Sequence, residues 1–206
     1  MSAIEESVFF PCGPLRLAGS LRRAPGPDAV AITHPHPLYG GEMNNPVVDL
    51  LAESYQRRGY TTLRFNFRGV GASDGRYDEG RGEQDDVRAA AAYLTGLGKT
   101  VTDLAGYSFG AWVNLSLHPP LATVRRQLLV APPVAYFEFG AVAAPPAELV
   151  VIAGDRDSFA PLSVLREQMP RWHSAARLRV LPGVDHFFRS GLERLAEAVA
   201  ETLPDA

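Results

Sequence analysis

The chain has 206 residues, of which 46% are hydrophobic and 21% are charged, and its net charge is −3. Such values are typical of one folded globular domain, and they exclude a coiled coil, a collagen and a disordered chain. The slight negative charge also argues against nucleic acid or an anionic membrane as the main partner, so a small-molecule substrate is expected.

The cysteine content and the amino-terminal residues indicate the cellular compartment in which the protein is expected. Cys12 is the only cysteine, so it cannot form an internal disulfide, and a reducing environment is expected. Residues 1–6 read MSAIEE, which lacks the basic start and apolar stretch of a signal peptide. No apolar run reaches the roughly 18 residues that a membrane helix needs. We therefore expect residues 1–206 to form one cytoplasmic domain, and the oligomeric state stays open.

Along the chain, apolar runs of strand length alternate with segments of helical period. This pattern predicts an α/β fold in which a mainly parallel sheet carries helices on both faces. The first two runs, at residues 8–10 and 15–20, flank a PCGP turn and predict an antiparallel hairpin at a sheet edge. The other predicted strands are residues 29–33, 61–67, 101–105, 127–131, 149–153 and 177–181. The predicted helices are residues 46–58, 83–97, 111–117, 161–169 and 187–202.

No cap domain is expected. The only connection with room for an extra element is residues 132–146, and about fifteen residues make an excursion rather than a domain.

Residues 106–110 read GYSFG and match a nucleophile elbow. In this sharp turn between a strand and a helix, the serine hydroxyl is lifted above the sheet, and glycines are needed where the chain crowds itself. A predicted strand precedes the motif and a predicted helix follows it, as the motif requires. Ser108 is therefore the candidate nucleophile.

A serine hydroxyl needs a base, and the base needs an orienting acid. His186 follows the last predicted strand, at the carboxyl edge of the sheet where open α/β sheets build their sites. The acid is expected after the preceding strand, where both Asp155 and Asp157 stand. Asp157 is favoured, because Asp155 lies so close to the strand end that it is expected to cap the turn through backbone N–H groups.

Three motifs of this chain together resemble those of a known family. They are HPHPLYGG at residues 34–41, LRFNFRGVG at residues 63–71 and GYSFG at residues 106–110. With the order serine, aspartate, histidine, the chain is similar to the α/β-hydrolase superfamily, and within it to small uncapped serine hydrolases and esterases. The resemblance spans about residues 29–188. It implies an α/β-hydrolase fold, cleavage of small acyl esters or thioesters, and no cofactor.

An oxyanion hole needs two N–H donors. One is expected from Phe109, the residue after the nucleophile, and the other from the loop that follows the strand at residues 29–33. Prolines 35 and 37 have no N–H, which leaves His36, Leu38, Tyr39 or a neighbour. The resemblance of this loop to the His-Gly-x-Pro loop of relatives favours His36.

Other interpretations of these segments remain open at this point. His34 and His36 suggest a metal site, but no third ligand stands at a recognisable spacing, so no metal is expected. Residues 68–75, RGVGASDG, resemble a phosphate loop but lack its Lys-Ser/Thr ending, and predict a packed loop near the site. An acyl pocket or ordinary core packing would each explain a group of loop aromatics, namely Tyr136, Phe137, Phe139, Phe159, Phe187 and Phe188.

The same three residues would also serve other reactions. A peptidase, an acyltransferase and a cofactor-free perhydrolase use such a triad on different bonds, and the sequence does not separate them. A non-enzymatic binding module on the same scaffold is the remaining alternative, because a fold does not by itself imply an activity.

Overall fold

The computed structural model describes residues 5–140 and 146–204. Residues 1–4, which belong to the segment that lacks signal-peptide features, and residues 141–145 of the connection at 132–146 lie outside the described residues. Within the described part, eight strands form one sheet with helices on both sides, which confirms the predicted α/β class, and no separate cap domain is evident.

The sheet is antiparallel at one edge and parallel elsewhere. Its order is β1-β2-β4-β3-β5-β6-β7-β8, in which β1 pairs with β2 and β2 with β4 in antiparallel fashion, while every other pair is parallel. The hairpin predicted at the sheet edge is confirmed. The strands are β1 (Glu6–Cys12), β2 (Leu15–Arg22), β3 (Asp28–Thr33), β4 (Thr61–Phe65), β5 (Thr100–Tyr107), β6 (Arg126–Val130), β7 (Glu148–Gly154) and β8 (Arg177–Leu181).

In the described part of the chain, five α-helices cover the two faces of the sheet. Those that pack on one face are α1 (Pro46–Arg57) and α5 (Leu192–Thr202), and those on the other are α2 (Arg81–Gly96), α3 (Phe109–Leu115) and α4 (Leu162–Trp172). Among the described residues, no helix has both the length and the apolar character needed to cross a bilayer.

The alternation of side chains along the central strands explains this layering. In β3, Val30 and Ile32 pack in the core beneath α1 and α5, whereas Ala29 and Ala31 pack in the core beneath α2. All four are fully buried. A parallel strand covered on both faces must be apolar at successive positions, so it reads as a continuous hydrophobic run.

The start of the last helix differs from the prediction. Helix α5 begins at Leu192 rather than at residue 187, because Phe188 has a φ of +54° and therefore cannot continue a right-handed helix. The chain instead forms a loop from the end of β8 to Gly191. That loop carries His186 to the carboxyl edge of the sheet.

Candidate active site

Ser108 lies at the turn between β5 and α3. Its φ of +54° and ψ of −118° are sparsely populated for a residue with a side chain, as in a strained elbow. Cβ atoms added to Gly106 or Gly110 would lie 2.6 Å from the hydroxyl oxygen of Thr33 on β3. The two glycines are therefore required by the close approach of β3 to the turn.

His186 brings a base to this serine. The distance between Ser108 Oγ and His186 Nε2 is 3.0 Å, and the two residues are only 7% and 5% exposed. The hydroxyl and the imidazole are thus within direct hydrogen-bond reach and largely shielded from water, which is the arrangement needed for proton transfer.

Asp157, and not Asp155, contacts the imidazole. His186 Nδ1 lies 2.8 Å from Asp157 Oδ2, while Asp157 Oδ1 accepts the N–H groups of Phe159 and Ala160, both at 2.8 Å. Asp155 is exposed, and its Oδ1 accepts the N–H of Gly183 at 2.6 Å in the loop after β8. Because the carboxylate of Asp157 can only accept, His186 carries its proton on Nδ1, which leaves Nε2 free to receive the proton of Ser108.

Two further groups hold His186 in place. Tyr107 donates its hydroxyl to the backbone carbonyl of His186 at 2.7 Å, and burial raises the pKa of Tyr107, which keeps that donor protonated. The ring of Phe159 stacks on the imidazole at a centroid distance of 4.4 Å and an interplanar angle of 16°. Sequence reasoning missed Tyr107, although its place beside Ser108 in the elbow motif was a usable signal.

The two expected oxyanion donors border the same cavity. The N–H groups of Phe109 and His36 have no hydrogen-bond partner among the residues that the structure describes. His36 Nδ1 accepts the N–H of Leu38 at 3.2 Å, so its proton is on Nε2, 3.3 Å from the hydroxyl of Tyr77. Burial lowers the pKa of His36, and its ring packs 4.8 Å from that of Phe109.

The loop that carries His36 is tied to the end of β4. His34 Nε2 accepts the N–H of Phe67 at 3.0 Å, and Asn66 Oδ1 accepts the N–H of Met43 at 2.8 Å. The segment at residues 68–75 is held in turn, because Ser73 donates its hydroxyl to the carbonyl of Asn66 at 2.8 Å. This glycine-rich segment therefore packs behind the site and supports it.

A cavity of about 590 Å³ opens in front of Ser108. Four of the six aromatic residues expected near the site line it, and the other two belong to the core: Phe139 packs on Trp172, and Phe188 is 1% exposed. The tyrosine and phenylalanine residues that line the cavity are Tyr39, Tyr107, Phe109, Tyr136, Phe137, Phe159 and Phe187.

The cavity is free of lysine, arginine, aspartate and glutamate among the described residues that line it. Both ring nitrogens of His34 bond to the protein, which leaves neither for a metal ion. Within residues 5–140 and 146–204, no three His, Cys, Asp or Glu side chains come together as a metal site requires. The described lining of the cavity therefore combines a serine hydroxyl, an imidazole beside it and backbone N–H groups, with no lysine, arginine, aspartate or glutamate among them.

The chain is similar to known proteins in sequence. The sequence model of the alpha/beta hydrolase family matches residues 24–205 of this chain. An uncharacterized protein from Rickettsia prowazekii (strain Madrid E) is 34% identical to it over 208 residues, which cover 95% of this chain and 87% of that protein.

Two solved structures are similar over nearly their whole length. An alpha-beta serine hydrolase homologue from Coxiella burnetii is 33% identical, with 99% of each chain covered and a TM-score of 0.83. A serine hydrolase without lid from Xanthomonas campestris is 32% identical, with 98% of this chain and 96% of that chain covered and a TM-score of 0.85. The resemblance to lidless serine hydrolases inferred from the sequence motifs is thereby confirmed.

Proposed function

Because this chain belongs to the alpha/beta hydrolase family, we propose that it is a serine hydrolase that cleaves uncharged esters or thioesters of small carboxylic acids. One observation carries the proposal. Ser108 Oγ, His186 Nε2, His186 Nδ1 and Asp157 Oδ2 form a hydrogen-bonded chain with links of 3.0 and 2.8 Å, and the serine end opens into the cavity.

In the first half of the reaction, Ser108 Oγ attacks the acyl carbon and its proton passes to His186 Nε2. The carbonyl oxygen gains a negative charge, which the N–H groups of Phe109 and His36 stabilise as the oxyanion hole. The imidazolium of His186 then donates its proton to the departing alkoxide or thiolate. The products of this half are an ester of Ser108 and a free alcohol or thiol.

In the second half, a water molecule takes the place of the leaving group. His186 removes a proton from the water, the hydroxide attacks the acyl carbon, and the same two N–H groups stabilise the second oxyanion. Collapse of this intermediate returns the proton to Ser108 Oγ and releases the carboxylic acid. Asp157 holds the imidazole in the Nδ1–H form throughout, so Nε2 serves as acceptor and donor in turn.

The lining of the cavity supports uncharged acyl groups as substrates. About 590 Å³ lies within the range of small-molecule sites, and aromatic rings cover its wall. Among the described residues that line the cavity, no lysine or arginine is present to pair with a carboxylate on the acyl chain. A free charge carried into this cavity would lose its hydration without gaining a partner.

The test compares matched substrates. We expect p-nitrophenyl butyrate to be hydrolysed well above the rate of Ser108→Ala. We expect p-nitrophenyl hemisuccinate, which has a similar chain with a terminal carboxylate, to be cleaved by the enzyme at least tenfold more slowly, equal to about 1.4 kcal/mol, after subtraction of the p-nitrophenol that its own carboxylate releases without enzyme. An acyl thioester and a p-nitroanilide measured in parallel separate the bond types. Hydrolysis of every substrate at the Ser108→Ala rate would contradict the proposal.

A further inference from the structure

His34 is fully buried beside the oxyanion loop, and among the described residues its ring nitrogens bond to Pro35 and Phe67 rather than to Ser108, His186 or Asp157. Its Nε2 accepts the N–H of Phe67 at 3.0 Å, so that nitrogen is unprotonated. The ring proton is therefore on Nδ1, which donates to the carbonyl of Pro35 at 2.6 Å. Burial lowers the pKa of His34 to about 4, and the ring keeps this neutral form at neutral pH.

The carbonyl that His34 holds belongs to the peptide unit that also carries the N–H of His36. This peptide is trans, because the one cis bond among the described residues precedes Pro119. In a trans peptide, the C=O and the N–H point in opposite directions in one plane. Holding the carbonyl of Pro35 toward the buried ring therefore aims the N–H of His36 away from it.

A second contact bounds the same peptide. A Cβ atom added at Gly41 would lie 2.1 Å from the carbonyl oxygen of Pro35 and 2.7 Å from that of His36. The N–H of Gly41 donates to the His36 carbonyl at 3.0 Å. The peptide between Pro35 and His36 is thus held by the His34 ring and closely approached by the backbone of Gly41.

We infer that His34 is a positioning residue that fixes the orientation of the Pro35–His36 peptide and so aims one N–H of the oxyanion hole. This inference rests on the proposed function, because it concerns the charge that forms on the acyl oxygen. An N–H donor that acts on that charge stabilises the transition state more than the bound substrate. Loss of the orientation consequently lowers kcat and leaves KM nearly unchanged.

Two variants of His34 separate its two hydrogen bonds. In His34→Asn, the side-chain amide stands near the position of Nδ1 and can still donate to the carbonyl of Pro35, but it does not reach the N–H of Phe67. In His34→Gln, the side-chain oxygen reaches toward the N–H of Phe67, and the donor to Pro35 is lost. Each variant keeps one bond and loses one, which makes them controls for each other.

We expect His34→Gln to lower kcat for p-nitrophenyl butyrate on the order of a hundredfold, as for the loss of an oxyanion donor. His34→Asn is expected to stay within about tenfold of the native kcat, and KM to stay within about threefold in both. Thermal midpoints measured in parallel report the structural cost of each change. Equal losses of kcat in the two variants, or a native kcat in His34→Gln, would overturn the inference.

Gly41→Ala provides an independent perturbation if the His34 variants do not fold. It displaces the same peptide while His34 stays intact, and we expect kcat to fall at least tenfold with an unchanged KM; a native kcat would count against the inference.

The rate at which a fluorophosphonate probe modifies Ser108 separates the proposed hydrolase activity from the positioning role of His34. If native protein is not labelled, the proposed function and the inference fail together. If native protein and His34→Gln are labelled at the same rate, the inference alone fails.

Discussion

Replacement of Asp157 by asparagine tests how the base is oriented. In the native site, one carboxylate oxygen accepts the N–H groups of Phe159 and Ala160, and the other accepts from His186 Nδ1. The amide oxygen of asparagine keeps the two backbone bonds, so the amide NH₂ must face Nδ1. A donor then meets a donor, and the imidazole either loses this bond or moves its proton to Nε2.

The consequence for the reaction is large because an imidazole protonated on Nε2 cannot accept the proton of Ser108. Replacement of the orienting carboxylate of such a triad by an amide lowers kcat by about 10⁴-fold. At 25 °C this factor corresponds to about 5.4 kcal/mol of transition-state stabilisation. Because aspartate and asparagine have the same shape, and because the bonds from the N–H groups of Phe159 and Ala160 persist, we expect Asp157→Asn to fold.

Asp155→Asn is the matched control. Asp155 is exposed and accepts the N–H of Gly183, a bond that the amide oxygen of asparagine can also make. We expect this variant to keep kcat within about threefold of the native value, a change of less than 1 kcal/mol. The assay is initial-rate hydrolysis of p-nitrophenyl butyrate, with thermal unfolding of both variants. Comparable losses in the two variants, or near-native kcat in Asp157→Asn, would refute this assignment of the acid.

Three other perturbations follow from the same contacts. Phe159→Leu removes the ring that stacks on His186. We expect kcat to fall roughly 2- to 10-fold, because an aromatic pair contributes about 0.5–1.5 kcal/mol. An effect confined to KM would argue against a role of Phe159 in positioning His186. The pKa of His34 is lowered by burial to about 4, so the unfolded chain takes up a proton as the pH falls below about 6.5 while the folded chain does not; about 3 kcal/mol of stability is lost between pH 6.5 and 4. Urea unfolding of native protein and His34→Asn at pH 7 and pH 4 checks this, and an equal loss in both would contradict it. In the native chain, Arg68 Nη2 lies 2.8 Å from Oδ1 of the fully buried Asp86 carboxylate, and Arg68→Met removes this ion-pair partner. We expect the free energy of unfolding, measured by urea titration, to fall by about 3 kcal/mol. A loss below about 1 kcal/mol would show that other groups compensate the buried charge of Asp86.

The sequence predicted the sheet and its flanking helices because the hydrophobic residues of these elements follow a clear pattern. Strands covered on both faces read as continuous apolar runs, and the amphipathic helices between them read as a period of 3.6 residues. The prediction was wrong at the start of α5. The helical pattern of hydrophobic residues extends back to residue 187, but Phe188 adopts a positive φ in the loop that carries His186. Hydrophobic periodicity contains no information about this backbone torsion.

The sequence favoured Asp157 as the acid without excluding Asp155, and the role of His34 lay beyond local pattern. Asp155 and Asp157 stand two residues apart on one turn, and only the direction in which each side chain leaves that turn decides which one meets His186. His34 suggested a metal ligand from its neighbours in sequence. Its partner Phe67 lies 33 residues further along the chain, so only the packed structure brings the two together.

Labelling of the folded protein with a fluorophosphonate probe, with the modified residue identified by peptide mass, shows directly whether Ser108 is an activated nucleophile. Ser108→Ala and His186→Ala remove the nucleophile and the base, while Ser116→Ala, at the other end of α3, is the control for a serine outside the cavity. We expect modification of Ser108 in native protein and in Ser116→Ala, and none in the other two variants. Folded native protein that stays unlabelled, or labelling that persists in His186→Ala at the native rate, would contradict this expectation.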